Sequence, residues 1–326
     1  MKILIAPLNW GLGHASRCLP LITRYLKQGD EVVIAADGNA LKLLRLHFPK
    51  LRYINLPALD LHYSKGNSQV GAMFKSLPKI IKWSIADHNT LQQILAIEHF
   101  DLVISDNRFG FYSKDTRCVY ITHQLMIKMP KSLKPLEPLA HRLHLRVINH
   151  YDECWIPDFE GDKNLSGDLS HKYTLPKNAK FIGPLSRFMN IKPTIQQPKG
   201  PTFDLAVLSG IEPQRTLFEE QILNEYEQNG KRLLLVQGKI TAPWCEIKHG
   251  NITIVPYLSD DKWAEKMLLA EHIIARSGYS TIMDMYALNV LDKAIFHATP
   301  GQTEQEYLCS RQERECPHSR PKQEDI

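Results

Sequence analysis

Along the first half of the chain, short apolar runs alternate with stretches in which apolar residues recur every three or four positions. "KILIAPL" predicts a strand and "ASRCLPLITRYLKQG" an amphipathic helix closed by Gly29. "EVVIAAD" predicts the next strand, "NALKLLRLHF" a helix and "RYINLP" another strand. After a long middle section "TLQQILAIEHF" reads as helix, "DLVISD" and "CVYITHQ" as buried strands, and "ECWIPDF" and "KFIGPL" complete the set. Strands that are apolar throughout, rather than alternating, belong to a parallel sheet covered by helices on both faces.

At 190–202 the texture changes to "NIKPTIQQPKGPT", in which three prolines and little apolar material predict a linker. Beyond it the alternation restarts. The strands are "DLAVLSG", "RLLLVQG", "NITIVPYL", "HIIARSG" and "KAIFHAT"; the helices are "TLFEEQILNEYEQNG", "DKWAEKMLLAE" and "STIMDMYALN". The expected architecture is α/β: two tandem Rossmann-like, doubly wound domains facing a cleft. The first spans 1–190, the linker 191–202 and the second 203–308. Ligands of such sheets sit beyond the carboxyl ends of the strands. The charged stretch "CSRQERECPHSRPKQEDI", 309–326, is nearly free of aliphatic residues and is expected to be a disordered tail, with the look of a truncated ending.

Composition narrows the partners. A length of 326 residues favours two domains, and 43% hydrophobic with 23% charged residues describes a globular chain. The net charge of +5 suits an anionic ligand or membrane surface and is too weak to argue for nucleic acid. Six scattered cysteines without a CxxC pair read as reduced thiols, and no stretch reaches the roughly 20 apolar residues that cross a bilayer, so a cytoplasmic protein is expected. In 61–91, Met, Phe, Leu, Ile and Trp are interleaved with Lys75, Lys79 and Lys82. That is either a helix packed on the first domain with its lysines in water or a peripheral contact with an anionic membrane face.

Candidate chemistry lies at the strand-to-helix turns. "NWGLGHASR", 9–17, carries Gly11 and Gly13 between the first strand and helix. A dinucleotide fingerprint would use this turn, with Asp37 on the ribose. Ser16 stands where a third glycine belongs, however, and His14 crowds the phosphate position. The other reading is that the turn presents His14 at a helix N-terminus, where the positive dipole end favours the neutral imidazole, either as a general base or as a local cap. In "ARSGYSTIMD", Gly278 turns the chain into a helix. The first amides and the hydroxyls of Ser277, Ser280 and Thr281 there could take an anion, and Asp284 follows one turn on. "LSGIEPQRT" brings Ser209, Gly210 and Arg215 to a second turn, and "TPGQTEQEYL" brings Gln302 and Gln305 to a third.

These residues together resemble the nucleotide-sugar glycosyltransferases of the GT-B fold, nearest the family 28 type that includes the N-acetylglucosaminyltransferase forming lipid II. "GLGHASR" is similar to that family's glycine turn ending in histidine. "ARSGYSTIMD" is similar to its donor segment, in which an Arg276-Ser277-Gly278 turn precedes an acidic residue. The resemblance implies an inverting transferase that carries a sugar from a UDP-sugar to an acceptor hydroxyl. Ser209, Gly210, Ser277, Gly278 and Tyr279 would surround the diphosphate, Asp284 would meet the ribose, and Tyr257 and Leu258 would flank the base. Gln302 and Gln305 would meet the sugar. On the acceptor side His14 would be the base with Asp106 behind it, and His123 and Gln124 would line the site.

A helix N-terminus can receive leaving-phosphate charge, and the chain has no Asp-x-Asp pair, so no metal and no cofactor beyond the UDP-sugar co-substrate are expected. The rivals are a UDP-sugar 2-epimerase of the same architecture and a non-catalytic nucleotide-sugar-binding protein.

Overall fold

The computed structural model describes the backbone of residues 1–58, 69–189, 202–240 and 242–315, and the chain divides into two compact units, Met1–Ser186 and Arg187–Ile326. The expected linker, 191–202, lies outside the described residues except for its last position.

The first unit runs β1 (Lys2–Pro7), α1 (Gly13–Lys27), β2 (Glu31–Ala36), α2 (Gly38–His47), β3 (Arg52–Asn55), α3 (Gln69–Ile97), β4 (Leu102–Asp106) and β5 (Arg117–Ile121). A 3-10 turn (Lys131–Leu136) then leads into α4 (Glu137–Ile148), β6 (Glu153–Ile156), the short α5 (Asp168–His171) and β7 (Ala179–Phe181). All seven strands are parallel, in the order β3-β2-β1-β4-β5-β6-β7. From β1 the chain winds first toward β3 and then, from β4, the other way, so the sheet reverses between β1 and β4. Their last paired residues are Pro7 and Asp106. Both faces of β1 and β4 are buried, which is why Ile3, Leu4, Ile5, Val103 and Ile104 show no polar alternation. Each such side chain contributes about 1.5–3 kcal/mol by leaving water.

Helix α3 packs on this sheet through Trp83, Asp87 and Leu91, spaced four apart, and leaves Lys79 and Lys82 exposed. Of the interleaved segment 61–91, residues 61–68 and the side chains of 69–77, Lys75 among them, lie outside the described residues.

The second unit runs β8 (Asp204–Val207), α6 (Gln214–Asn229), β9 (Leu233–Val236), β10 (Ile247–His249), β11 (Ile252–Val255), α7 (Asp260–Leu269), β12 (Ile273–Arg276), α8 (Tyr279–Ala287), β13 (Ala294–His297) and α9 (Thr303–Glu315). Its sheet order is β10-β11-β9-β8-β12-β13, parallel except for β10, and it reverses between β8 and β12. Helix α6 ends as its sequence predicts: Gly230 adopts φ +67 and its N–H closes on Tyr226 O.

The expectation of a disordered tail from 309 is corrected here. Residues 309–315 are helical, the second half of α9, because Leu308, Cys309 and Gln312 share one buried face, and the Cys309 thiol donates to Phe296 O at 3.3 Å in β13. Residues 316–326 lie outside the described residues.

Candidate functional site

The reversal between β1 and β4 opens at the carboxyl edge of the first sheet, and the turn after β1 fills it. Gly11 takes φ +78, a conformation that favours glycine, and the chain enters α1 at Gly13 with no side-chain cap. This places His14 on the first helical turn, directly above the end of β4. Its Nδ1 lies 2.7 Å from Asp106 Oδ1, and its side chain is 13% exposed while Asp106 is fully buried. One turn further along α1, Arg17 sends Nε and Nη2 to the two oxygens of Asp106. Arg17 Nη1 stands 3.0 Å from Nδ1 of His123, which follows β5, and Nη2 stands 3.0 Å from Nδ1 of His14. The Cys18 thiol approaches Asp106 Oδ2 at 3.7 Å. Four donors from α1 thus converge on one carboxylate.

Electrostatics follow from that convergence. Burial alone would push the Asp106 carboxyl up, but Arg17 and then His14 outweigh it and hold it at about 2. Burial pushes His14 below the usual histidine range; the Arg17 charge pushes it further down, against the pull of Asp106. A neutral imidazole with one edge reachable and the other fixed on a carboxylate has the chemistry to accept a proton.

Beneath the turn lies a second charge cluster. Arg108, fully buried, donates to Asp87 through Nε (2.9 Å) and Nη2 (2.7 Å) and to Asp37 through Nη1 (2.7 Å), with its guanidinium 4.9 Å from the Trp83 ring. Asn9 Nδ2 donates to the other oxygen of Asp37 at 3.2 Å, and Asn9 Oδ1 accepts from Ala40 N. Asp37 is therefore engaged in bracing the glycine turn, which leaves the dinucleotide reading without its ribose partner. Of the acceptor-side residues expected from sequence, His123 joins the cluster through Arg17, Gly11 and Gly13 form the turn, and Gln124 follows His123, its N–H on Thr122 Oγ1 at 3.1 Å. Arg17, Asp87 and Arg108 were not anticipated. The signal for Arg17 was present in its i+3 spacing from His14, which stacks the two on one helix face.

In the second unit the predicted residues also gather at the carboxyl edge, around the β8/β12 reversal. Ser209 and Gly210 (φ +107) follow β8; Tyr257 and Leu258 follow β11, both half-buried, with Leu258 against the core. After β12, Gly278 opens α8 with no side-chain cap, and Ser280 and Thr281 are half-exposed on the first turn. The Tyr279 ring is buried, so at the start of α8 this residue presents its backbone rather than its ring.

Three expectations change. Arg215 does not bring uncompensated charge: Glu212 takes its Nε at 2.6 Å and Glu219 its Nη1 at 2.7 Å, so it braces the loop. Ser277, fully buried, donates its hydroxyl to Gln305 O at 2.8 Å, and Gln305 Oε1 accepts Thr299 N at 2.9 Å; this pair shapes the third loop, and Gln302 is the half-exposed amide beside it. Asp284 sits 3.6 Å from Arg187 Nε. Arg276, in contrast, makes no ion pair among the described residues. It donates to Ala298 O at 2.7 Å and stacks on Phe218 at 3.9 Å, and burial lowers it to about 10.

Comparison with known proteins fits this arrangement. No family model matches the chain. A curated relative, an uncharacterized glycosyltransferase of Methanosarcina acetivorans, is 28% identical over 200 residues, 57% of this chain and 50% of that protein. The matched region is thus half the length of that relative. Among solved structures, the glycotransferase of kitacinnamycin superposes with TM-score 0.59 at 13% identity, covering 98% of this chain and 96% of its own. The Acinetobacter baumannii MurG superposes at 0.50 (14% identity, 95% and 83% covered), and a Listeria monocytogenes structure assigned as a UDP-N-acetylglucosamine 2-epimerase at 0.52 (14%, 100% and 99%). The fold is that of the GT-B glycosyltransferases. Among the described residues no helix is long and apolar enough to cross a membrane, and no three His, Cys, Asp or Glu are grouped to hold a metal ion.

Proposed function

We propose that this chain is an inverting, metal-independent glycosyltransferase that moves a sugar from a UDP-sugar to an acceptor hydroxyl. The observation that carries the reading is the His14–Asp106 couple, held at the reversal of the first sheet by a glycine turn. In this reading Nε2 of His14 removes the acceptor proton, and the freed oxygen forms its bond to the anomeric carbon from the face opposite the diphosphate. The bond from that carbon to the diphosphate oxygen breaks, and its electron pair leaves with UDP. Asp106 steadies the transient imidazolium, and the uncapped first turn of α8, with Ser280 and Thr281, receives the charge developing on the diphosphate. Asp284 would meet the ribose by exchanging Arg187 for sugar hydroxyls, and Gln302 would meet the transferred sugar.

An epimerase would need carboxylates around the donor sugar. In the second unit Glu212 and Glu219 are bound to Arg215 and so are not free for that role. The peripheral membrane contact we propose would use α3, where Ile81 and Ile85 are exposed beside Lys79 and Lys82; co-sedimentation with anionic vesicles, absent with neutral ones, checks it. The test of the central reading is calorimetric binding of UDP without divalent metal, followed by transfer assays over a donor and acceptor panel. His14→Ala should bind UDP as the parent does and lose at least about 100-fold in transfer. Full transfer by that variant overturns the base assignment, and failure to bind any nucleotide overturns the donor site.

A further inference from the structure

Among the described residues two that are not glycine have a positive φ, Asn107 at +61 and Asn289 at +55. Asn289 comes just after α8, where a left-handed residue commonly ends a helix. Asn107 ends no helix: it follows directly on β4, between Asp106 and Arg108. L-residues enter that region at a cost, asparagine more readily than most, and an outlier of this kind persists only where its surroundings hold it. Here the Asn107 N–H donates to Ile121 O at 3.1 Å, at the end of β5, and the Tyr120 hydroxyl donates to Asn107 Oδ1 at 2.7 Å. The chain folds back at this residue, and Ser105 Oγ donates to Arg108 O at 2.8 Å instead of β4 running on past Pro7.

The residues on either side of that bend grip the turn between β1 and α1 from opposite ends. Asp106 O accepts the Leu8 N–H at 2.9 Å, and the Asp106 carboxylate meets His14 Nδ1 at 2.7 Å. Arg108 Nη1 donates to Pro7 O at 3.4 Å and to Asp37 Oδ1 at 2.7 Å, and Asp37 Oδ2 accepts Asn9 Nδ2 at 3.2 Å. Pro7, Leu8, Asn9 and His14 are thereby all tied to the segment 106–108. We propose that Asn107 is the positioning residue of the site: its left-handed backbone sets Asp106 and Arg108 so that together they fix where the turn presents His14. A right-handed residue there would swing one neighbour relative to the other. Arg108 cannot follow, because it is fully buried with Nε and Nη2 on Asp87, so the displacement falls on Asp106 and the turn it holds. The kinetic consequence rests on the transferase reading above: a displaced turn lowers turnover and leaves the donor side alone.

Asn107→Gly and Asn107→Ala separate backbone from side chain. Both lose the Tyr120 hydrogen bond, but only alanine also resists the left-handed region, by a factor of about 5 to 30. Site-resolved amide exchange of the whole chain reads the clamp without any substrate, through the Leu8 N–H on Asp106 O. Leu8 protection should be about 5- to 30-fold lower in Asn107→Ala than in Asn107→Gly. The ring signals of His14 in the folded protein should move in Asn107→Ala and stay near their parent positions in Asn107→Gly. In transfer assays kcat should be at least about fivefold lower with alanine than with glycine, at unchanged KM for the nucleotide sugar. Leu8 protection with alanine equal to or above that with glycine overturns the proposal. So does a fall at Leu8 with the His14 signals unmoved, which would make Asn107 a stabilising residue only. If Asn107→Ala does not fold, Asn107→Gly decides: a loss at Leu8 beyond about tenfold, more than one hydrogen bond is worth, overturns the proposal and a smaller one upholds it. The expected exchange and His14 signals without turnover of any nucleotide sugar would uphold Asn107 and overturn the transferase reading.

Discussion

Asp106→Asn is the substitution that most sharply tests how the first unit is held together at its site. It changes one atom and almost no volume, so any effect is electrostatic. The two oxygens of Asp106 face donors only: Arg17 Nε and the Cys18 thiol on Oδ2, Arg17 Nη2 and His14 Nδ1 on Oδ1. Whichever way the new amide turns, its NH2 meets a donor pair, and the Arg17 guanidinium is left buried without its anion. Removing one partner of a buried pair in this way costs about 3–5 kcal/mol. At 1.36 kcal/mol per decade that is about two to four orders of magnitude in the opening equilibrium.

Hydrogen exchange followed on peptides spanning β1 and β4 measures this within the first unit, independently of the second. Protection there should fall by that factor, and transfer should fall by up to about 10⁴ in kcat as His14 loses its fixed tautomer. The pH dependence carries a second signature. The Asp106 carboxyl is held at about 2 against an ordinary 3.8, so it contributes roughly 2 kcal/mol that is present above the unfolded value and lost as pH falls from about 4 toward 2. His14, lowered by burial and Arg17, adds a loss that begins below its ordinary 6.5, because the unfolded chain takes up that proton first. The variant should keep the second slope and lack the first. Protection of β1 and β4 within threefold of the parent would refute the electrostatic account.

Asp284→Ala should weaken UDP binding in calorimetry by about 5- to 50-fold, the worth of one or two hydrogen bonds to a sugar; unchanged affinity removes Asp284 from the ribose. Arg276→Met gives up one carbonyl hydrogen bond and a stacking contact and, among the described residues, no ion pair, so its melting curve should shift little while UDP affinity drops at least about tenfold. Gly110→Ala would put a Cβ 1.8 Å from Ser84 O and 3.1 Å from His88 N of α3. Because these are backbone atoms of one helix that cannot give way singly, it should cost about 1–3 kcal/mol or more in thermal unfolding, and a neutral substitution would mean that α3 does not rest on the 108–110 loop.

How much of this could be read from the sequence depended on whether a residue's environment matched its type. The parallel strands were legible because burial on both faces leaves only apolar residues in them. β10 was not, since Ile247, Lys248 and His249 are all exposed and carry no pattern. Helix α4 went unread because its pattern is inverted: Glu137, His141 and His144 face the protein while Leu136 just before it, Leu139 and Leu143 face solvent. Helix α9 looked like a tail because only Leu308, Cys309 and Gln312 of a charged run turn inward. At the site, glycine turns and a histidine advertise themselves, whereas a buried arginine reads as a solvated helix face until its carboxylate partner, 89 residues away, is placed beside it.

The two sheets solve opposite electrostatic problems at the same topological position. At the β1/β4 reversal every buried charge has an internal partner: Arg17 with Asp106, Arg108 with Asp37 and Asp87. Such a cluster has no need of a charged ligand, and it suits holding a neutral base in a fixed orientation before an uncharged hydroxyl arrives. At the β8/β12 reversal Arg276 is a buried cation with no ion pair among the described residues, close in sequence to a helix start with no side-chain cap. On the transferase reading, the diphosphate of the donor would supply the anion there. The two sites therefore differ in how far they depend on a ligand. Bound UDP should raise hydrogen-exchange protection at the tip of β12 and the first turn of α8. Protection at the end of β4 already rests on Arg17 and should stay where it is.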